Sequence, residues 1–195
     1  MSAVIPNDIV PEQVRQLLRL PDVGQIGYVV EDVYTAVNEW QPAYQRTPWL
    51  ILDHDHPCIS HGKQDRSKLR IALAYDGPLQ IELIQVLGGQ TIHTGAASKP
   101  DGQIHHLGFM VRNLGQQLNH CERNGAQVLQ KGTIKSAGFT VDYAYLDISA
   151  ISNLDLILEL IQWRFIYLPI PVNRLIFNIS CLLGSWNVFR GKVIK

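Results

Sequence analysis

Cysteine is scarce in this 195-residue chain: only Cys58, Cys121 and Cys181 occur, widely spaced and without a CxxC or Cys/His finger pattern. That excludes a disulfide framework and points to free thiols in a reducing, cytoplasmic compartment. Neither sign of charge is in excess, because 17 Lys and Arg stand against 17 Asp and Glu. The electrostatic footprint of a nucleic-acid-binding protein is therefore missing. The opening "MSAVIPNDIVPEQVRQ" lacks the basic start, apolar run and small-residue cleavage site of a secretory signal. No long apolar run is present either. The most apolar stretch, Phe165 to Phe189, is broken by Pro169, Pro171, Asn173, Arg174 and Asn178, well short of the ~20 residues that span a bilayer. The glycines at 88–89 and 95–102 lack the strand and helix that flank a nucleotide-binding GxGxxG.

What is present is a globular composition, 46% hydrophobic, suited to one domain or to two small modules sharing a core. "VPEQVRQLLRL" sets Val10, Val14, Leu17 and Leu18 at helical spacing with Pro11 suited to a first turn, so residues 1–22 are expected to form an N-terminal helical appendage. From 23 to 88 the pattern predicts a strand, a helix with Val33, Val37 and Trp40 on one face, a polar loop at 54–68, and a hairpin turning at Asp76-Gly77-Pro78. Residues 89–103 read as a mobile linker loop. From 104 to 163 the order returns as strand, helix and three strands. The tail 164–195 is expected to be an apolar helix, with Val172, Leu175, Ile176, Ile179, Leu183 and Trp186 on one stripe.

The two halves share phrases as well as order. "QIGYVVEDV" at 25–33 aligns with "HLGFMVRNL" at 106–114, and "IELIQ" at 81–85 with "LELIQ" at 158–162, steps of 81 and 77 residues. A diverged duplication is expected: an α+β fold of two tandem βαβββ modules forming a shared open barrel-like sheet, with extra N- and C-terminal helices. Side chains alternate across a strand, so Gln25 and His106 occupy equivalent positions, as do Glu82 and Glu159. If the modules pair side by side, all four converge on one concave surface. One imidazole, one amide oxygen and two carboxylates suit a divalent cation of intermediate hardness: Zn, Ni, Co, Mn or Fe. A solvated sheet face is the bland explanation for any one of these residues, but it does not account for polar residues at both pairs of matched positions. His105 is the neighbour that a small register shift would exchange for His106.

These motifs resemble the vicinal oxygen chelate superfamily, which includes glyoxalase I, methylmalonyl-CoA epimerase, extradiol dioxygenases and the fosfomycin and bleomycin resistance proteins. The resemblance covers about 23–163. It implies Gln25, Glu82, His106 and Glu159 as metal ligands, an order similar to that of eukaryotic-type glyoxalase I. Gln25 stands where extradiol dioxygenases carry a first His, which turns the expectation away from oxygen activation. "GQIHHLGF" and "AGFTVDYAYLD" look closer to methylmalonyl-CoA epimerase.

The implied function is a divalent-metal-dependent lyase or isomerase of the glyoxalase or epimerase type, stabilising an enolate or enediolate during proton transfer beside a carbonyl of a small-molecule substrate. Glu159 is the first choice of base, with Glu82 returning the proton. The alternatives are a non-catalytic small-molecule binding or resistance protein of the same fold, and a structural duplication whose tail mediates assembly. Members of the family often swap or share module edges, which is compatible with a homodimer. Tyr143 and Tyr145 are expected to pack in the core, with one Tyr edge as a candidate to line the cleft; Trp163 is a candidate to wall it, and "HDHPCISH" at 54–61 is expected to border it.

Overall fold

The computed structural model describes residues 8–40, 48–96, 103–136, 139–152, 154–165, 168–171, 174–175, 177–178 and 192–194. In chain order the elements are α1 (Glu12–Leu18), β1 (Gln25–Val29), α2 (Val33–Trp40), β2 (Trp49–Ser60), β3 (Lys63–Asp76), β4 (Leu79–Gly89), β5 (His106–Met110), α3 (Leu114–Arg123), β6 (Gln127–Ser136), β7 (Phe139–Asp147), β8 (Ile157–Phe165), β9 (Leu168–Pro169) and β10 (Lys192–Ile194). The fold is α+β.

Eight strands close into a mixed barrel in the order β2-β3-β4-β1-β5-β8-β7-β6, with β2 pairing β6 to complete the ring. The expected sheet was open. Closure follows from the length of β2 and β3, which absorb the polar segment 54–68 expected as a loop. That segment has the period of a strand, hidden because its inward positions are Leu52, His54, His56 and Cys58, not a row of aliphatics. Its outward acids are paired: Asp53 accepts two bonds from Arg70, at 2.7 and 2.8 Å, and Asp55 accepts one from Arg66. The strands turn at His61-Gly62, both with positive φ (46° and 77°), as a two-residue hairpin connection requires.

Two strand pairs form the centre. β1 runs parallel to β4 and β5 parallel to β8, while β1 and β5 meet antiparallel with Gln25 opposite Gly108, Ile26 opposite Leu107 and Gly27 opposite His106. Alternation then divides the strands cleanly. Ile26, Ile81, Leu83, Leu107, Phe109, Leu158 and Leu160 face outward into a core roofed by the helices. Full burial of an aliphatic or aromatic side chain of this size is worth roughly 1.5–3 kcal/mol. Ile84 points the other way, into an interior cluster with Leu50, Leu52, Leu69, Ile71, Leu73, Tyr75 and Phe177. Each Glu of the repeated phrase thus sits between two outward leucines or isoleucines and faces the barrel interior.

The N-terminal helix forms where expected and packs on the core. Val10, Val14 and Leu18 join the outer core, and Leu17, expected on the same stripe, is 44% exposed. The Leu17 and Leu18 carbonyls accept bonds from His120 and Gln117 of α3. Of the expected C-terminal helix, Arg174, Leu175, Phe177 and Asn178 are helical, whereas Val172, Ile176, Ile179, Leu183 and Trp186 lie outside the described residues. Leu175, expected on the docking stripe, is 68% exposed, and Phe177 is buried instead. Lys192–Ile194 form a strand, β10, paired with β2. No helix among the described residues is long and apolar enough to cross a membrane.

Candidate functional site

The four sequence-predicted residues meet inside the barrel. Gln25 starts β1, Glu82 lies in β4, His106 starts β5 and Glu159 lies in β8, and all four are buried. His106 Nε2 is 3.3 Å from Glu82 Oε2 and 3.2 Å from Glu159 Oε2. His106, not His105, turns Nε2 toward both carboxylates.

Glycines at the β1–β5 seam make this possible. A Cβ on Gly27 would collide with the His106 ring, and one on Gly108 would lie 2.6 Å from Gln25 Oε1 and 2.8 Å from its Cβ. Each polar side chain therefore lies across the glycine opposite it, two residues along from its counterpart. The Gln25 amide is oriented by a donor chain: its Nε2 donates to Gln80 Oε1 at 2.9 Å, and Gln80 Nε2 donates to the Tyr75 hydroxyl at 3.1 Å. Gln25 Oε1 is left without a partner.

The buried side-chain atoms without a hydrogen-bond partner include Gln25 Oε1, Glu82 Oε2, His106 Nε2 and Glu159 Oε2, the last three held to one another as ion pairs. Unsatisfied buried polar groups are costly and rare, so four in one place require an explanation. Their chemistry fits a cation. Glu82, His106 and Glu159 offer ligand atoms within 4.8 Å of one another, and the 3.2–3.3 Å spacings approach the ~3 Å edge between ligands bound at right angles about 2.1 Å from a metal. Two carboxylates would balance a divalent charge, with imidazole and amide oxygen as neutral ligands.

Electrostatics express the same imbalance. Burial favours the neutral form of His106, but the two carboxylates, Glu159 ahead of Glu82, outweigh it and hold its pKa up at about 9. Burial raises the Glu82 carboxyl, the nearby charge of Glu159 adds to this, and His106 opposes it. Tyr145, whose ring lies 5.2 Å from that of His106, is raised well above the usual phenol value, chiefly by burial, and keeps its proton.

The adjoining cavity measures ≈ 80 Å³, against about 10–15 Å³ for one water. It has room for a small reacting group. Leu69, Ile71, Ile161 and Trp163 give it apolar walls, and Tyr143 and Tyr145, expected chiefly as core residues, both line it. The "HDHPCISH" segment contributes His54 and His56 to the lining, while His61 sits at the distant hairpin turn. Tyr143 ties this wall together: its hydroxyl is 2.9 Å from His56 Nε2 and accepts from Gln130 Nε2 at 3.1 Å.

His93 was not anticipated. It lies in the segment read as a mobile linker, yet it is 1% exposed, lines the cavity, and packs against His105, His106 and Tyr145. Its Nδ1 is 2.8 Å from Thr91 Oγ1. The alternation of apolar Ile92 with Thr91 and His93 is too brief to have marked it.

Residues 24–145 match the model of the glyoxalase/bleomycin resistance protein/dioxygenase superfamily. No curated protein matches the chain in sequence. Among solved structures, a hypothetical protein from Bacillus halodurans C-125 superposes with a TM-score of 0.52 at 17% identity, covering 72% of this chain and 92% of that one. Methylmalonyl-CoA epimerase from Mycobacterium tuberculosis gives 0.51 at 17% identity, covering 73% and 87%. A Streptomyces coelicolor methylmalonyl-CoA epimerase variant in complex with 2-nitronate-propionyl-CoA gives 0.51 at 14% identity, covering 73% and 94%. At these identities the likeness is one of fold.

Proposed function

This chain belongs to the glyoxalase/bleomycin resistance protein/dioxygenase superfamily, and we propose that it is a divalent-metal-dependent lyase or isomerase acting by proton transfer beside a carbonyl. The observation that carries this is the cluster of buried ligand atoms on Glu82, His106 and Glu159, all within 4.8 Å of one another, with the buried Gln25 lining the same cavity. The same strand order in each half, with β1 parallel to β4 and β5 parallel to β8, supports a duplicated module as the origin of the paired ligands.

Gln25, Glu82, His106 and Glu159 would hold the cation. When bound, it supplies Lewis-acid stabilisation of the negative charge that develops on a carbonyl oxygen. The chain's own groups then divide the work. The apolar wall of Leu69, Ile71, Ile161 and Trp163 holds the reacting end of the substrate and excludes water. Glu159 takes the proton from carbon and Glu82 returns one from the other side. Returned to the neighbouring carbon, it completes a glyoxalase-type isomerisation; returned to the opposite face of the same carbon, it completes an epimerisation. The Tyr145 hydroxyl stays protonated beside Glu159.

The test is solvent isotope exchange. Protein loaded with Zn, Ni, Co or Mn is incubated in D2O with the methylglyoxal–glutathione hemithioacetal or with a 2-methyl-branched acyl-CoA. Deuterium entering beside the carbonyl of one of them, at a rate that depends on Glu159, is the expected result. Tight binding without exchange would instead favour a sequestering protein of the same fold.

A further inference from the structure

Three histidines crowd the back of the site. His93, His105 and His106 are all buried and present nitrogens within 4.8 Å of one another. His106 belongs to both this group and the one with the carboxylates. Three imidazoles can hold a zinc ion, but here the Nδ1 atoms of His105 and His106 face each other in hydrogen-bond geometry, and the carboxylates that would neutralise a cation lie at His106 Nε2. The histidine group is better explained by what it does to His106.

His105 Nδ1 lies 3.1 Å from His106 Nδ1 in hydrogen-bond geometry. One of these nitrogens must carry the hydrogen and the other must not. If His105 donated, His106 would have to keep its proton on Nε2, directed at the carboxylates, and could not serve as a ligand there. If His106 donates from Nδ1, its Nε2 lone pair is free on the side of Glu82 and Glu159. Resting on the cation reading above, we propose that His105 is a positioning residue: by accepting from His106 Nδ1 it selects the one tautomer, and the one ring orientation, in which Nε2 can ligate.

The surroundings of His105 suit that role. Its backbone N–H donates to the Gly27 carbonyl at 2.8 Å, so His105 is pinned to the residue over which the His106 ring lies. The His93 ring packs on the His105 ring at 4.8 Å, and His93 is itself held by the Thr91 hydroxyl. Tyr145 closes the far side of both His93 and His106, each at 5.2 Å. The His106 ring is confined by glycine, tyrosine and two histidines, and behind the site, among the described residues, its direct nitrogen partner is His105. Outer partners of this kind change metal affinity by roughly 10–100-fold when removed.

The experiment compares the full chain with His105→Phe, which keeps an aromatic ring and removes the acceptor, and His105→Gln, which keeps an acceptor oxygen. Zinc affinity is read by chelator competition, and the protonated nitrogen of His106 by long-range proton–nitrogen NMR with and without zinc. The expected result is an exchange-protected Nδ1 proton on His106 in the wild type, its loss in His105→Phe with a 10–100-fold fall in zinc affinity, and substantial recovery of both in His105→Gln. An unchanged His106 tautomer and zinc affinity in His105→Phe would overturn the proposal. So would a second equivalent of zinc in the wild type that disappears in His93→Gln, because the histidines would then be a cation site themselves. A wild type that binds no zinc would defeat the metal reading separately, since the NMR comparison in zinc-free protein, made at a pH above about 9 where the His106 ring is neutral, still decides whether His105 sets the tautomer.

Discussion

Gly27 lies opposite His106 across the antiparallel β1–β5 seam, and the imidazole occupies the space that any side chain at Gly27 would need. Gly108 stands in the same relation to Gln25. Gly27→Ala is predicted to displace His106 from the carboxylates and weaken zinc binding at least ~10-fold. Overpacking of this kind typically costs about 1–3 kcal/mol of folding stability. Calorimetric titration alongside urea unfolding separates the two effects.

The two carboxylates are predicted to be unequal in catalysis although both bind the cation. Glu159→Gln should slow deuterium exchange by roughly 10²–10⁴, the usual contribution of a positioned general base. Glu82→Gln should impair return of the proton, so exchange of the substrate proton persists while product formation falls. Parallel loss of both readouts in both variants would contradict that division.

Tyr143→Phe removes the oxygen that accepts from Gln130 and meets His56 on the cavity wall. Leaving a buried polar group unpaired costs about 1–3 kcal/mol, and the urea midpoint should fall accordingly. The His106 site lies on other strands, so zinc affinity should change less than twofold.

His54 gives a pH dependence whose sign can be worked out. Burial, helped by nearby His56 and opposed by Asp53, lowers its pKa from 6.5 to about 4 in the folded chain. As pH falls from about 6.5 toward 4 the unfolded chain takes up the proton first, so stability present above 6.5 is lost across that window. His54→Gln removes this contribution. Relative to the wild type, the variant should gain on the order of 1 kcal/mol between pH 8 and pH 5, read from urea unfolding at the two values.

The inward carboxylates were legible because each Glu interrupts an apolar frame whose alternation dictates its direction: Ile81 and Leu83 outward, Glu82 inward, and likewise Leu158, Leu160 and Glu159. The duplicated phrases carried that inference from one strand to two. The β2–β3 hairpin was not legible, because His54 and His56 face the cavity where aliphatics would have signalled a strand. Barrel closure depends on Cys58, Ile59 and Ser60 meeting Gly132, Lys131 and Gln130, a long-range pairing with no local signature. His93 escaped notice for a related reason. Its burial comes from the three rings around it, all distant in sequence except through the site itself.

Cation uptake by the intact chain tests the central claim most directly. Metal content after incubation with Zn, Ni, Co or Mn and removal of excess should reach one equivalent in the wild type and fall to background in the Glu82→Ala, Glu159→Ala double variant, with circular dichroism showing that the variant still folds. A wild type that remains metal-free, or a folded double variant that binds as tightly as the wild type, would contradict it.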